Sequence, residues 1–329
     1  MPAGRFGLQG SMGVPGAELR SRPDVLWRMR IQVIINDRAG SVVGADPDAI
    51  LDAVVHELEA AGHDVDASIV KPEQLEAELV RVRREQPDAL IVGGGDGTIR
   101  FAAAAILNTP TALGIIALGT INRLARDLRI PFNWRAAAQA LARGRTIVID
   151  AAEVNGRLFL CNAVLGSTTR FSMARQRLRG KPAMDRLIGY ARATRHLLTA
   201  RRRTTIHIDD GRKPRKLRVL SLVVTNNAYA EEAALTMHRP ALDSGTLAAY
   251  ASRHESGWKM ARAGLRALFG RITGDPDVVR IKATKLTIDV PTRKTVPLSI
   301  DGEIENLTTP LEFTIRPGAL SVLVPSPAE

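Results

Sequence analysis

From Ile31 onward, short runs of β-branched and other apolar residues alternate with stretches whose apolar positions recur every three or four residues. Ile31 to Ile35, Asp66 to Val70, Ala89 to Val92 and Leu113 to Ala117 read as strands. Asp48 to Ala61, Glu73 to Glu85, Thr98 to Leu107, Ile121 to Leu128 and Trp134 to Ala142 read as the helices between them. This alternation predicts βαβ units around a small doubly wound parallel sheet, with a ligand crevice beyond the carboxyl ends of its strands.

After about Ile147 the texture changes. Asn155-Gly156 and Asp210-Gly211 sit between β-rich runs, as two-residue hairpin loops do. Further strands are expected at Arg218 to Thr225, Leu247 to Ala251, Val278 to Ile281, Lys285 to Val290, Val296 to Ile300, Leu311 to Ile315 and Leu320 to Val324. Helical segments interrupt them at Asp185 to Ala200 and Trp258 to Leu268. The expected fold class is therefore α/β. A doubly wound parallel-sheet nucleotide-binding domain (30–147) precedes a mostly antiparallel, sandwich-like β domain (148–329). Residues 1–29 hold five glycines and no apolar periodicity, and read as a disordered tail, with Met29 an alternative start to Met1.

Composition narrows the class. A chain of 329 residues suits two domains, and 45% hydrophobic with 24% charged residues is globular. One cysteine, Cys161, excludes a disulfide framework and a multi-cysteine zinc site; it reads as a small core residue. The six histidines show no metal-ligand spacing, and no apolar run reaches 18 residues. The expectation is a cytoplasmic protein, at most peripheral to a membrane. Net charge is +12, and residues 170–203 hold ten Arg and one Lys against Asp185 alone, a net of 11 − 1 = +10. Such a segment suits an anionic partner, a nucleic-acid backbone or a membrane surface.

The chemistry-bearing signals lie in three loops. Gly93-Gly94-Gly95-Asp96-Gly97-Thr98 follows a strand and opens a helix, so backbone N–H groups and the helix N-terminus can cradle phosphate. It lacks the Lys-Ser/Thr ending of a Walker A loop, and Asp96 either acts through Mg²⁺ or organises the loop. Leu118-Gly119-Thr120-Ile121-Asn122 repeats the arrangement one strand later, and Asn36-Asp37-Arg38-Ala39-Gly40 follows the first strand. All three fall at one edge of the expected sheet, which favours a nucleotide site.

With Asp301-Gly302-Glu303 near the end, these motifs resemble, in order, the diacylglycerol kinase catalytic-domain family, which includes bacterial lipid kinases and sphingosine and ceramide kinases. The resemblance implies an ATP-dependent kinase of diacylglycerol or a related lipid (sphingoid base, ceramide or glycerolipid), using Mg²⁺ and serving phospholipid metabolism. Asn36, Asp37, Arg38, Ala39, Gly40, Gly94, Gly95, Asp96, Gly97, Thr98, Ile99, Arg100, Gly119 and Thr120 would line the ATP. Asn122 and Asp127 would meet the substrate. Glu303, or Asp301 beside it, would accept the proton of the substrate hydroxyl, with Asp96 also catalytic. The chain departs from the pattern at Asp37, where proline is usual, and at Arg123, where many members have aspartate. Pro240 to Gly245 resembles a turn that holds a structural Mg²⁺, with Ser244 at its aspartate position.

The resemblance also gives the basic segment a reading. Leu187, Ile188, Ala191 and Leu198 share a helical face, flanked by Arg186, Arg192 and Arg195. That face either lies on a membrane or packs the helix onto the β domain. The implied partners are a lipid substrate and an anionic membrane surface, and no nucleic acid; a homodimer is possible. Two alternatives remain. A soluble-substrate kinase of the NAD kinase type shares the glycine loop. A nucleic-acid binder would suit the charge, although aromatics are only 4% and do not interleave the basic segment.

Overall fold

The structure, a computed structural model, describes residues 28–38, 44, 46–178, 182–230, 238–268 and 275–327. The first half runs β1 (Arg30–Asn36), α1 (Pro47–Ala60), β2 (Asp64–Val70), α2 (Leu75–Glu85), β3 (Ala89–Gly94), α3 (Asp96–Ile106), β4 (Ala112–Ala117), α4 (Arg123–Asp127) and α5 (Trp134–Ala142). Local chemistry starts these helices where it should. Asp46 caps α1, with Pro47 in its first turn, and Asn133 caps α5 by accepting from the Ala136 amide. The strands β2-β1-β3-β4 pair in parallel. Every residue of β3 and β4 is buried, as a sheet covered on both faces requires.

The second half runs β5 (Arg145–Val154), β6 (Arg157–Phe159), β7 (Asn162–Gly166), α6 (Thr169–Leu178), α7 (Ala183–Leu198), β8 (Thr204–Asp209), β9 (Arg215–Val219), β10 (Ser221–Asn226) and β11 (Leu247–Ser252). It continues through α8 (Gly257–Leu268), β12 (Val278–Ala283), β13 (Lys285–Asp289), β14 (Thr295–Ile300), β15 (Glu303–Thr308) and β16 (Leu311–Val324). An antiparallel sheet, β12-β11-β10-β7-β14-β15, stands apart. The remaining strands extend the parallel sheet as β4-β16-β13-β8-β9, with β5 pairing β16 and β6. Side chains from both sheets, among them Val154, Phe159, Leu165, Ile208, Leu222 and Phe313, fill one apolar core, which gives the second half its sandwich character.

The α/β class with parallel and antiparallel parts is therefore as the sequence predicts. Two of the expected strands are organised differently. The run Arg218 to Thr225 is broken at Leu220, whose amide bonds to the Ser252 carbonyl, so that β9 lies in one sheet and β10 in the other. Leu311 to Ile315 and Leu320 to Val324 are one long strand, β16, with a register shift between Arg316 and Leu320 that bends it across both halves. Its far end pairs in parallel with β4, Val322 opposite Leu113, so the end of the described chain completes the first sheet and joins the first core. Residues 1–27 of the expected tail lie outside the described residues.

Candidate functional site

Three loops meet at the carboxyl ends of β1, β3 and β4. Their approach is close enough to require glycine. A β-carbon on Gly119 would lie 2.6 Å from the Gly95 Cα, and one on Gly94 would lie 2.7 Å from the Thr98 Cβ. The Asn36 side-chain amide donates to Thr98 Oγ1 at 3.1 Å, fastening the first loop to the second. Asp96 fastens the second to the third, its oxygens accepting from the backbone amides of Asn122 (3.1 Å) and Arg123 (2.8 Å). Asn122, in the left-handed region at φ +51°, closes its own turn by accepting from the Gly119 amide (2.9 Å) and donating to the Gly119 carbonyl (2.8 Å). Of the two roles open to Asp96, organising the loops is the one these contacts display. The result is a tightly packed, glycine-built loop that brings backbone amides to the N-terminus of α3, suited to an anion.

The facing wall is the β14–β15 turn. Asp301 (φ +46°) and Gly302 (φ +92°) form a two-residue loop with both φ values positive, the hairpin geometry that Asp-Gly favours. Asp301 is buried, and its carboxylate accepts from three consecutive amides, Leu160 (2.7 Å), Cys161 (2.9 Å) and Asn162 (2.9 Å). Its oxygens are spent on holding the turn. Glu303, the first residue of β15, stands against the glycine loop: a β-carbon on Gly97 would lie 3.4 Å from Glu303 Oε1. Two residues on, with its side chain on the same face, Glu305 takes the Arg100 guanidinium at 2.9 Å. These two glutamates bring β15 onto α3.

A third connection lies beneath. Arg239, with 1% of its side chain exposed, donates from Nε (2.9 Å) and Nη2 (2.7 Å) to Asp127 Oδ2 at the end of α4, and from Nη1 to the carbonyls of Leu160 and Asn226. The buried Cys161 thiol lies 3.4 Å from Arg239 Nη2. Burial pushes that thiol well above its ordinary value, with Arg239 opposing and Asp301 and Asp127 adding to the rise.

The expected site residues thus divide. Asn36, Gly94, Gly95, Asp96, Gly97, Thr98, Gly119, Asn122 and Glu303 converge on one cleft, and Thr120 sits exposed at its lip. Ile99 is core, Arg38 reaches Glu73 on the surface, and Arg100, Asp127 and Asp301 join the walls together. Asp37 points a buried oxygen, Oδ1, at no hydrogen-bond donor. Ala39 and Gly40 lie outside the described residues. Sequence reasoning missed Arg239 and Tyr229. The Tyr229 hydroxyl oxygen accepts from Asn162 Nδ2 at 2.8 Å, and burial raises its phenol. Neither had a sequence signal, because Asn162 lies 67 residues from Tyr229 and Asp127 lies 112 residues from Arg239.

The turn around Ser244 is held without a carboxylate of its own at that position. The Ser244 amide and hydroxyl both donate to Asn227 Oδ1, and Gly245 donates to Asp150 at 2.7 Å. Among the described residues, His254, Asp275 and Asp277 are the one trio of His, Cys or carboxylate groups with ligand atoms within 4.8 Å of one another; there His254 pairs with Asp275 at 3.1 Å and Ser252 at 2.9 Å. On α7, Leu187 and Ile188 are 65% and 50% exposed, and the helix packs instead through Ala193 and through Gly189, which lies under Leu178.

Residues 30–154 match the diacylglycerol kinase catalytic domain. Diacylglycerol kinases of Staphylococcus aureus strains JH9 and Newman are each 32% identical over 152 residues, covering 44% of this chain and 46% of the relative. The chain thus spans about half the length of those relatives. Two crystal structures from Bacillus anthracis str. Sterne share the fold over 91% of this chain and 97% of theirs. One of them, described as a diacylglycerol kinase, is 19% identical with a TM-score of 0.68; the other is 21% identical with a TM-score of 0.71. Residues 30–154 thus form a domain similar to the diacylglycerol kinase catalytic domain, and the likeness to the two Bacillus structures extends over the fold of the rest.

Proposed function

We propose that the protein is an ATP-dependent lipid kinase that transfers a phosphoryl group to a hydroxyl of diacylglycerol or a related lipid. One observation carries the reading: a carboxylate, Glu303, stands directly against the glycine loop that opens α3, with its Oε1 3.4 Å from where a Gly97 β-carbon would lie. Phosphoryl transfer asks a protein for little more than that, a pocket that fixes the phosphates and a group that orients or deprotonates the attacking hydroxyl.

The roles follow from position. The backbone at Gly94 to Gly97 and the start of α3 would hold the phosphates. Asp96 keeps the Gly119–Asn122 loop against the cradle, and with Arg123 and Asp301 it lines a small adjoining pocket. Asp301 fixes the turn so that Glu303 can take the hydroxyl proton at its carboxylate. The residues present fit the nucleotide's phosphates, since the start of α3 offers backbone amides and Gly119 lets its loop close onto Gly95, whose Cα a β-carbon there would meet at 2.6 Å. A divalent cation, which in this chemistry neutralises charge on the phosphates, would enter with them, Asp96 being the acid within the cradle.

Two features support a lipid over a soluble acceptor. Between α6 and α7 runs an apolar groove of about 390 Å³, lined by Met173, Leu178, Gly189 and Ala193 with Arg177 and Arg192 at its edge. Its α6 wall bonds β14 through Ser172 and Ser299, so it adjoins the hairpin that carries Glu303. The exposed Leu187 and Ile188, flanked by arginines, suit an anionic bilayer surface, where each basic residue contributes about 1 kcal/mol. No helix among the described residues is long and apolar enough to cross a membrane.

The test is incubation with γ-labelled ATP, Mg²⁺ and a panel of diacylglycerol, sphingoid base, ceramide and NAD in mixed micelles. Label in a lipid is the expected result. Label in NAD alone, or in nothing, would refute the reading.

A further inference from the structure

The sequence marks α8 only as a helix, yet it carries the same combination of exposed apolar and basic residues as α7. Trp258, Arg262 and Leu265 stand at i, i+4 and i+7 and so share a face. Trp258 and Leu265 are 62% and 54% exposed. The charged residues of the helix are Lys259, Arg262 and Arg266, with no Asp or Glu from 257 to 268. Lys259 pairs with Glu255 just before the helix, while Arg262 is exposed between the two apolar side chains.

A large indole and a leucine left in water on a purely basic helix contribute nothing to the core. They match what an anionic lipid surface takes up: an aromatic ring for the headgroup boundary, an aliphatic chain below it and cations at phosphate level. The helix is also placed beside the other candidate contact. Gly257 donates its amide to the Ala200 carbonyl at 2.8 Å, and a β-carbon on Gly257 would stand 1.6 Å from the Leu197 carbonyl oxygen. Only glycine lets α8 begin against the end of α7, which sets Trp258 at the end of the helix that exposes Met184, Leu187 and Ile188.

We propose that α8 is a second membrane-docking element, with Trp258 and Leu265 entering the headgroup boundary of an anionic bilayer and Arg262 meeting lipid phosphate. The inference rests on the reading of the protein as a kinase of membrane lipids and adds which other part of the molecule holds it there. Charge complementarity selects the occupant. A neutral protein partner would leave the arginines unused, and a nucleic acid would leave Leu265 in water.

The experiment uses the full chain and phosphatidylcholine vesicles with or without phosphatidylglycerol. The difference in fluorescence between the natural chain and Trp258→Phe isolates the Trp258 emission. It should move to the blue with phosphatidylglycerol present, and brominated acyl chains should quench it. Trp258→Ser combined with Leu265→Ser should weaken vesicle binding by about tenfold or more, as losing two buried apolar side chains predicts. Turnover of a short-chain, water-soluble diacylglycerol should stay as it is. An unmoved Trp258 emission, an equal shift with duplex DNA in place of vesicles, or unimpaired vesicle binding by the double variant would each overturn the proposal. Equal loss of turnover on soluble and vesicle-borne lipid would also overturn it, by placing α8 in the fold or the active site. If the natural chain phosphorylates no lipid while Trp258 still shifts, docking stands and the kinase reading falls.

Discussion

Asp127 and Arg239, 112 residues apart, meet as a buried two-pronged pair that ties α4 of the parallel half to the loop before β11. The same guanidinium holds the Leu160 carbonyl, and the Leu160 amide binds Asp301. A chain of contacts thus runs from Asp96 through α4 and Arg239 to Asp301 and back across the cleft by way of Glu303. Arg239→Met would strand the Asp127 carboxylate in the interior. The expected cost is about 3–5 kcal/mol, read as a lower denaturant midpoint with unchanged slope. Joint replacement by Asp127→Leu and Arg239→Met should recover much of it. A cost under about 1 kcal/mol for the single change would show that the pair does not join the halves.

Gly119→Ala tests the cradle. The added carbon would meet Gly95 Cα and Asn122 Oδ1, both at 2.6 Å, and backbone cannot turn aside as a side-chain tip can. The strain of such overpacking is about 1–3 kcal/mol. Directed at the loops, it should lower nucleotide affinity by about tenfold in a calorimetric titration. Unchanged affinity would move the nucleotide away from this approach.

Much of this was legible in the sequence where local pattern and tertiary structure agree. Trp134 to Ala142 is a helix at both levels because Asn133 caps it and Ala137, Ala138 and Leu141 are its buried face. The parallel strands were legible because burial on both faces leaves uninterrupted apolar runs such as Ala89 to Val92. The glycine loops signalled an anion site because close backbone approach admits little else. What stayed hidden depends on distant partners. Nothing near Leu220 says that a continuous apolar run must change sheets, since the switch is imposed by pairing with β7 and β11. Arg100 and Asp127 look like ligands in their motifs, but Glu305 and Arg239 claim them from far along the chain. For α7 the apolar periodicity was clear, yet the face that packs is set by Gly189 and Ala193, so Leu187 and Ile188 remain outside.

Cys161 offers a pH test of the buried junction. Burial raises its thiol, so the folded protein keeps it protonated through neutral pH. In the unfolded chain it ionises near the ordinary value of about 8.5. Its contribution to stability is therefore complete below that pH and is lost as the pH rises toward the folded value. Iodoacetamide at neutral pH should leave Cys161 unmodified until denaturant unfolds the chain, as mass spectrometry would show. Rapid alkylation of the native protein would contradict the packing around Arg239.

In the proposed reaction Glu303, and not Asp301, accepts the proton of a lipid hydroxyl beside the cradle. Glu303→Gln keeps the shape of the side chain and removes its basicity. Its turnover, followed as transfer of label from ATP to lipid in mixed micelles, should fall by about 10²- to 10⁴-fold, the usual contribution of a general base. Nucleotide affinity, titrated on the same variant, should stay unchanged, because the cradle at Gly94 to Gly97 is untouched. Normal turnover by Glu303→Gln would show that another group takes the proton, and a collapse of nucleotide affinity would place this turn in the nucleotide site instead.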